Sequence, residues 1–298
     1  MLRKNILFLL IFGLASAITT NAQTYKSTSW SYNFFLGGSN MASDLGGTNL
    51  IGNDGIWDLD LKATRLAIGT GVSFNVGSFS FSPTLLYTRL AGNDEWTIQE
   101  FQNTRNLSVR TDLLEGSFTT EFRPFSHSYV LSRFYLYGGI GGMYYQPKAE
   151  YNDEWVKLRP LGTEGQNFID TMEQYSELGL VVPIGLGYKF RLGRSTSLVV
   201  DLGWRKTFTD YLDDVSTVYA DQALLLADGG QTAVDLADRS GQNLPTGYER
   251  GNPDKLDSYF ILAFKFEKVL GDNGECYYNK NPKKRRGVKL NQKKMFIR

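Results

Sequence analysis

The sequence predicts an all-β protein, an eight-stranded up-and-down transmembrane β-barrel. Eight segments alternate apolar with small or polar residues at a period of two, the spacing of a strand whose two faces meet different surroundings. The links between them are alternately short and long, as the turns and loops of a membrane barrel are. The segments reach about ten residues and carry aromatic residues near their ends, which suits a tilted crossing of a bilayer.

Taken in chain order, the opening residues come before any strand. Arg3 and Lys4 lead an apolar run from Ile6 to Ala17, too short to cross a bilayer as a helix. "TNAQ" then offers a small residue, Ala22, before a cut. Residues 1–22 are therefore expected to be a cleaved export signal, 23–271 the barrel and 272–298 a basic tail. The first strand, Trp30 to Gly38, shows Tyr32, Phe34 and Leu36 on one side. Leu66 to Val76 sets Leu66, Ile68, Val72 and Phe74 against Ala67, Gly69, Gly71, Ser73 and Asn75. A tight turn at Gly77-Ser78 leads into Phe79 to Arg89, where Phe79, Phe81, Leu85 and Tyr87 oppose Ser80, Ser82, Thr84 and Thr88. Asp112 to Arg123 sets Leu114, Phe118 and Phe122 against Glu115, Ser117, Thr119, Glu121 and Arg123. Arg133 to Tyr145 has the weakest pattern, because its Tyr and Gly residues fit either face. Glu177 to Arg191 has the strongest: Leu178, Leu180, Val182, Ile184, Leu186, Tyr188 and Phe190 oppose three glycines, then Lys189 and Arg191. Leu198 to Arg205 and Tyr259 to Lys268 repeat the scheme, with Asp201, Arg205, Lys265 and Glu267 on their polar faces.

A soluble β-sandwich alternates in the same way. The strand length, the aromatic ends (Trp30, Tyr32, Tyr87, Tyr144, Tyr145, Tyr188 and Trp204) and the charges of both signs on the polar faces favour the membrane barrel. Eight strands leave an interior that side chains fill. Glu115, Glu121, Arg123, Lys189, Arg191, Asp201, Arg205 and Lys265 are then expected to form a charge network across the lumen rather than to line an open pore. With the N-terminus in the periplasm, the three short links and the C-terminal tail are periplasmic and the four long loops face outward.

Little here points to catalysis. The lone histidine, His127, is read as a solvated turn residue, since a triad or a metal site needs partners in matched positions. Asp210, Asp213, Asp214 and Asp221 lie close in sequence, but their spacing is not that of a calcium loop. They are expected to be solvated acids of a segment that caps the barrel mouth. No metal or other cofactor is expected. Cys276 has no second cysteine to pair with. From Lys280 to Arg298 there are nine Lys or Arg and no acid. That tail suits anionic lipid or an acidic periplasmic partner, with Lys283, Lys284, Arg285, Arg286 and Lys289 as its densest part.

The stretch "ELGLVVPIGLGYKFRLGRSTSLVVDLGWRKTFTDYLDDVSTVYAD", residues 177–221, resembles the PorG-like outer-membrane barrels of the Bacteroidetes type IX secretion and gliding machinery. Thr209, Asp210, Tyr211, Asp213 and Asp214 belong to the shared signature. The resemblance implies a non-enzymatic outer-membrane barrel that contacts or anchors a periplasmic ring of PorK/PorN-like proteins. It assigns no catalytic role to the signature. Two other functions are weighed against it: a small barrel for envelope integrity or surface binding, and an enzyme that works through Asp210 or Asp213.

Overall fold

The computed structural model describes residues 28–45, 61–97, 100–125 and 131–270. The proposed signal, His127, Cys276 and the whole basic tail, Lys283, Lys284, Arg285, Arg286 and Lys289 included, lie outside the described residues.

Nine strands follow one another: β1 (Thr28–Ala42), β2 (Arg65–Val76), β3 (Phe79–Asn93), β4 (Ser108–Phe122), β5 (Phe134–Tyr151), β6 (Glu154–Lys157), β7 (Leu178–Arg191), β8 (Thr196–Thr207) and β9 (Ser258–Leu270). Eight of them pair antiparallel in sequence order, and β1 pairs with β9 to close the barrel. All backbone partners are then found within the sheet, which a membrane crossing demands. The ninth, β6, pairs with β5 alone, where β5 has outrun its pairing with β7.

Burial along the strands is the reverse of that in a water-soluble protein. On β1, Trp30, Tyr32, Phe34 and Leu36 are exposed while Ser31 and Asn33 are buried. On β7, Leu178 is 70% exposed and Lys189 only 5%. Some two dozen large apolar side chains of the strands face outward. At about 1.5–3 kcal/mol for each such side chain left in water, this belt is stable only against lipid. Aromatic residues mark both of its edges. Trp30 and Tyr188 lie toward the short-turn end, Tyr87, Tyr144 and Trp204 toward the long-loop end. Tyr145, grouped with them in the sequence, faces inward at 1% exposure. It sits one residue out of phase with Tyr144, which settles the ambiguous pattern of β5.

The inner face of β7 is small because a bulky neighbour occupies the space. A Cβ on Gly185 would stand 2.5 Å from the Tyr137 ring, and one on Gly187 2.3 Å from the Tyr135 ring. Toward the loops, β1, β3, β4 and β5 run several residues past the ends that the apolar alternation suggests. There the outward face turns polar, at Arg89, Arg110, Asp112 and Lys148, while inward Leu90, Val109 and Ala149 stay buried. The lipid signal fades before the strand does.

Candidate functional site

Two regions bring functional groups together: the lumen, and a cap built from the long loops. The lumen is crossed by ion pairs from the polar strand faces. Lys189 Nζ on β7 lies 3.1 Å from Glu121 on β4 and 2.7 Å from Glu267 on β9. Lys265 Nζ meets Asp201 at 2.8 Å. The Tyr135 and Tyr137 hydroxyls also donate to Asp201, at 2.5 and 2.9 Å. Arg205 Nε is 3.7 Å from Glu115, which accepts from the Tyr259 hydroxyl at 2.7 Å. Arg123 is buried at the short-turn end, where it donates to the carbonyls of Gly77 and Phe79. Arg191 stands apart from the network proposed from sequence. It donates to the Gly193 carbonyl at 3.1 Å and so braces the β7–β8 turn, because it lies at the strand end rather than over the lumen. Level with the Lys189 pairs, Ser80 donates to Asn75 and Ser82 to Ser73 through short side-chain hydrogen bonds.

The "TDYLDD" segment leaves β8 and turns into the barrel mouth. Leu212 is 0% exposed, its carbonyl accepts from the Thr111 hydroxyl of β4, and its N–H donates to Asp257. A ladder of stacked rings stands beside it: Tyr145 on Tyr175 at 6.5 Å and Tyr175 on Tyr211 at 4.6 Å. Thr209 is within 3.0 Å of the Tyr145 hydroxyl and accepts from the Tyr211 N–H.

The acids of this segment are not solvated, contrary to the expectation from sequence. Asp210, Asp213 and Asp214 are buried, together with Asp44, Asp94, Glu164 and Asp257 from the other loops and from the base of β9. Loop carboxylates read as solvent-facing when their partners, brought from other loops, are invisible in sequence. Those partners are two buried arginines. Arg105 grips Asp94 with two bonds of 2.8 Å, donates to the Asp44 carbonyl at 2.8 Å and reaches the Arg250 carbonyl. Arg250 donates to Glu164 at 2.9 Å and to the Asp214 carbonyl at 2.6 Å. The Glu164 carboxylate also accepts from the Ser216 and Thr217 backbone N–H groups. Asp214 accepts from Thr163 and Tyr175, each at 2.6 Å. Asp213 accepts from the Leu45 and Val215 backbone. In this way residues of all four long loops are tied into one body.

Seven buried carboxyls against two guanidiniums cannot all be ionised at modest cost. Burial pushes Asp213 up to about 6, Asp44 and Asp214 up to about 7, and Asp210 up to about 9. The Asp213 charge adds to the shift at Asp44 and Asp210. Asp257 is raised well above the usual range by burial and by Asp213 and Asp210. Asp210 takes part in no full hydrogen bond among the described residues; the Ser216 hydroxyl is its nearest relief. Asp221 has a different role. It caps helix Gln222–Ala237, accepting from the Ala223 and Leu224 N–H groups at 2.9 and 3.1 Å. Among the described residues no three Asp, Glu, His or Cys side chains converge as ligands for a metal ion.

A family model described as a domain of unknown function (DUF6089) matches residues 4–226. Among curated proteins, none matches the chain in sequence. Solved structures similar to it include Neisserial surface protein A, at 8% identity and TM-score 0.37, covering 82% of this chain and 99% of that one. Ail, the attachment invasion locus protein of Yersinia pestis, is similar at 9% identity and TM-score 0.34, covering 83% and 100%. The outer-membrane protein AlkL is similar at 11% identity and TM-score 0.34, covering 84% and 94%. Likenesses this distant leave the role of the chain to be argued from its own residues.

Proposed function

This chain belongs to the DUF6089 family, a domain of unknown function, and we propose that it acts as a non-enzymatic structural barrel of the outer membrane in a type IX protein-secretion assembly. The observation that carries this reading is a lumen crossed by buried, mutually bonded side chains from the short turns to the mouth. Serines, asparagine and the Lys189 ion pairs fill its short-turn end, the Asp201–Lys265 and Arg205–Glu115 pairs lie farther up, and Leu212 with the cap fills its mouth. Such a molecule holds a position in the membrane and presents surfaces; it does not conduct. Asp210 and Asp213 are buried among the residues of the cap, and in our reading they serve its packing.

β1 starts and β9 ends beside the short turns, with Trp30 opposite Leu270. In our reading that side is periplasmic and the cap is external. The basic tail, with Lys283, Lys284, Arg285, Arg286 and Lys289, then reaches an acidic face of PorK/PorN-like ring proteins. The signature Thr209 to Asp214 supports the assignment through the resemblance stated above and serves the cap, not the ring.

A clean deletion strain tests the role: cargo secretion should be lost, and normal secretion would sink the proposal. Truncation after Gly271 should leave the barrel assembled while weakening capture of the ring proteins, most of all at low salt. Unchanged capture would remove the tail from the contact. The second reading, a small barrel for envelope integrity or surface binding, is favoured by the rigid cap. It predicts intact secretion with altered surface binding.

A further inference from the structure

We propose that the long-loop rim of β3, β4 and β5 is a binding site for the phosphate groups of a membrane lipid. The positions follow from the pleat. On the outward face of these strands the apolar belt ends at Tyr87, Leu114 and Tyr144, which lie side by side in register. One step farther toward the loops the outward residues are Arg89, Asp112 and Gln146, and the next step brings Arg110 beside Lys148. Asp112 is the hub: Arg89 Nε is at 2.9 Å, Lys148 Nζ at 2.8 Å and Arg110 Nη2 at 3.7 Å. One carboxylate among these three cations leaves two positive charges in excess, with Glu177 at the β7 edge, where it accepts from Gln146, as the one further acid on this row among the described residues. Exposed Lys157 of β6 stands in register with Lys148 and adds to them. The acids of the β5–β6 hairpin, Glu150 and Glu154, lie farther from the belt, toward its turn.

The cations are held in place. The Arg110 guanidinium lies 4.1 Å over the Trp155 ring, and its Nε is buried with no hydrogen-bond partner. The Tyr87 hydroxyl donates to Asp112 from below. Arg239 continues the column past Arg110, donating to the Ser108 hydroxyl and to the Glu150 carbonyl. A fixed cationic patch one residue beyond the hydrocarbon boundary is at the depth where lipid phosphates sit. Arginine presents paired donors that match phosphate oxygens. A lipid seated there lays its chains on Leu114, Phe118 and Ile140 below, which a soluble anion does not do. The inference rests on the membrane placement of the barrel and not on its role in secretion.

The test uses the full chain in detergent micelles, with native mass spectrometry reading bound lipid. The probes are a bisphosphorylated lipid A, the same lipid stripped of phosphate, and inorganic phosphate as competitor. The wild type should retain the bisphosphorylated lipid. The triple variant R89A/R110A/K148A should lose about 100-fold in affinity while keeping the gel shift of a folded barrel. D112N, which removes the one negative charge, should bind more tightly. Three results would overturn the proposal: equal retention of the dephosphorylated lipid, unchanged binding by a folded triple variant, or full displacement by millimolar inorganic phosphate.

Discussion

Arg250 is 2% exposed and satisfies groups from two loops, the Glu164 carboxylate among them. Removing it leaves that carboxylate buried without its charge partner, a loss of roughly 3–5 kcal/mol. R250M is therefore expected to make the cap sensitive to protease at temperatures where the wild type resists, with the barrel still resistant. Asp210 presents the opposite problem, a buried acid with too few donors. Its protonated form is the one the folded cap accommodates, as for Asp44, Asp213 and Asp214. The folded cap then holds protons that the unfolded chain has released above about pH 4. The sign follows: stability is full below that pH and falls as pH rises through the folded values, from about 6 for Asp213 to about 9 for Asp210. Limited proteolysis in micelles should show a cap more resistant at pH 5 than at pH 9. D210N, neutral at every pH, should flatten the upper part of that dependence; a cap equally resistant at both pH values would contradict the argument.

At the scale of elements, the strands owe their stability to contacts that cross the lumen as much as to their neighbours. Lys189 alone joins β4, β7 and β9. K189M leaves Glu121 and Glu267 buried near each other and should lower the stability of the barrel in urea by about 3–5 kcal/mol. The triple change K189M/E121Q/E267Q should recover most of it, since the loss comes from orphaned charge and not from lost volume. These strands were legible in the sequence because a two-sided environment imprints a period of two. The lumen residues were legible as the polar half of that pattern. The cap was not. Arg105, Arg250, Glu164 and Asp44 come from separate loops with no shared period, and only their convergence gives them meaning. β6 did leave a local mark. Asn152 and Asp153 both take positive φ, 51° and 66°, as a two-residue type I′ hairpin requires, and Asn-Asp is a pair that tolerates it.

The described residues form a closed cylinder of strands with an apolar waist, a side-chain-filled lumen and a folded head. In planar bilayers it should insert and carry no steady ionic current, since a closed lumen of eight strands offers no aqueous path. A conductance of porin size would contradict the packing described here. The barrel should also migrate differently on a denaturing gel before and after boiling, because the closed sheet resists detergent until heated. R250M and D210N should keep that shift, as their effects are confined to the head, whereas K189M should lower the temperature at which it disappears.

The hairpin of β5 and β6 has one more consequence. It rises past the β7 edge of the wall, with β6 paired to β5 alone across Lys148–Lys157 and Tyr151–Glu154, and it leans on the head through Tyr151–Asp235 and the Arg239–Glu150 bond, while Asn152 and Asp153 stay exposed at its tip. A short epitope inserted between those two residues lies outside the closed sheet and beyond the Tyr151–Asp235 contact with the head. Antibody staining of intact and of permeabilised cells would then report which way the molecule points. The hairpin tip is a natural handle for fixing the sidedness of everything else on the chain.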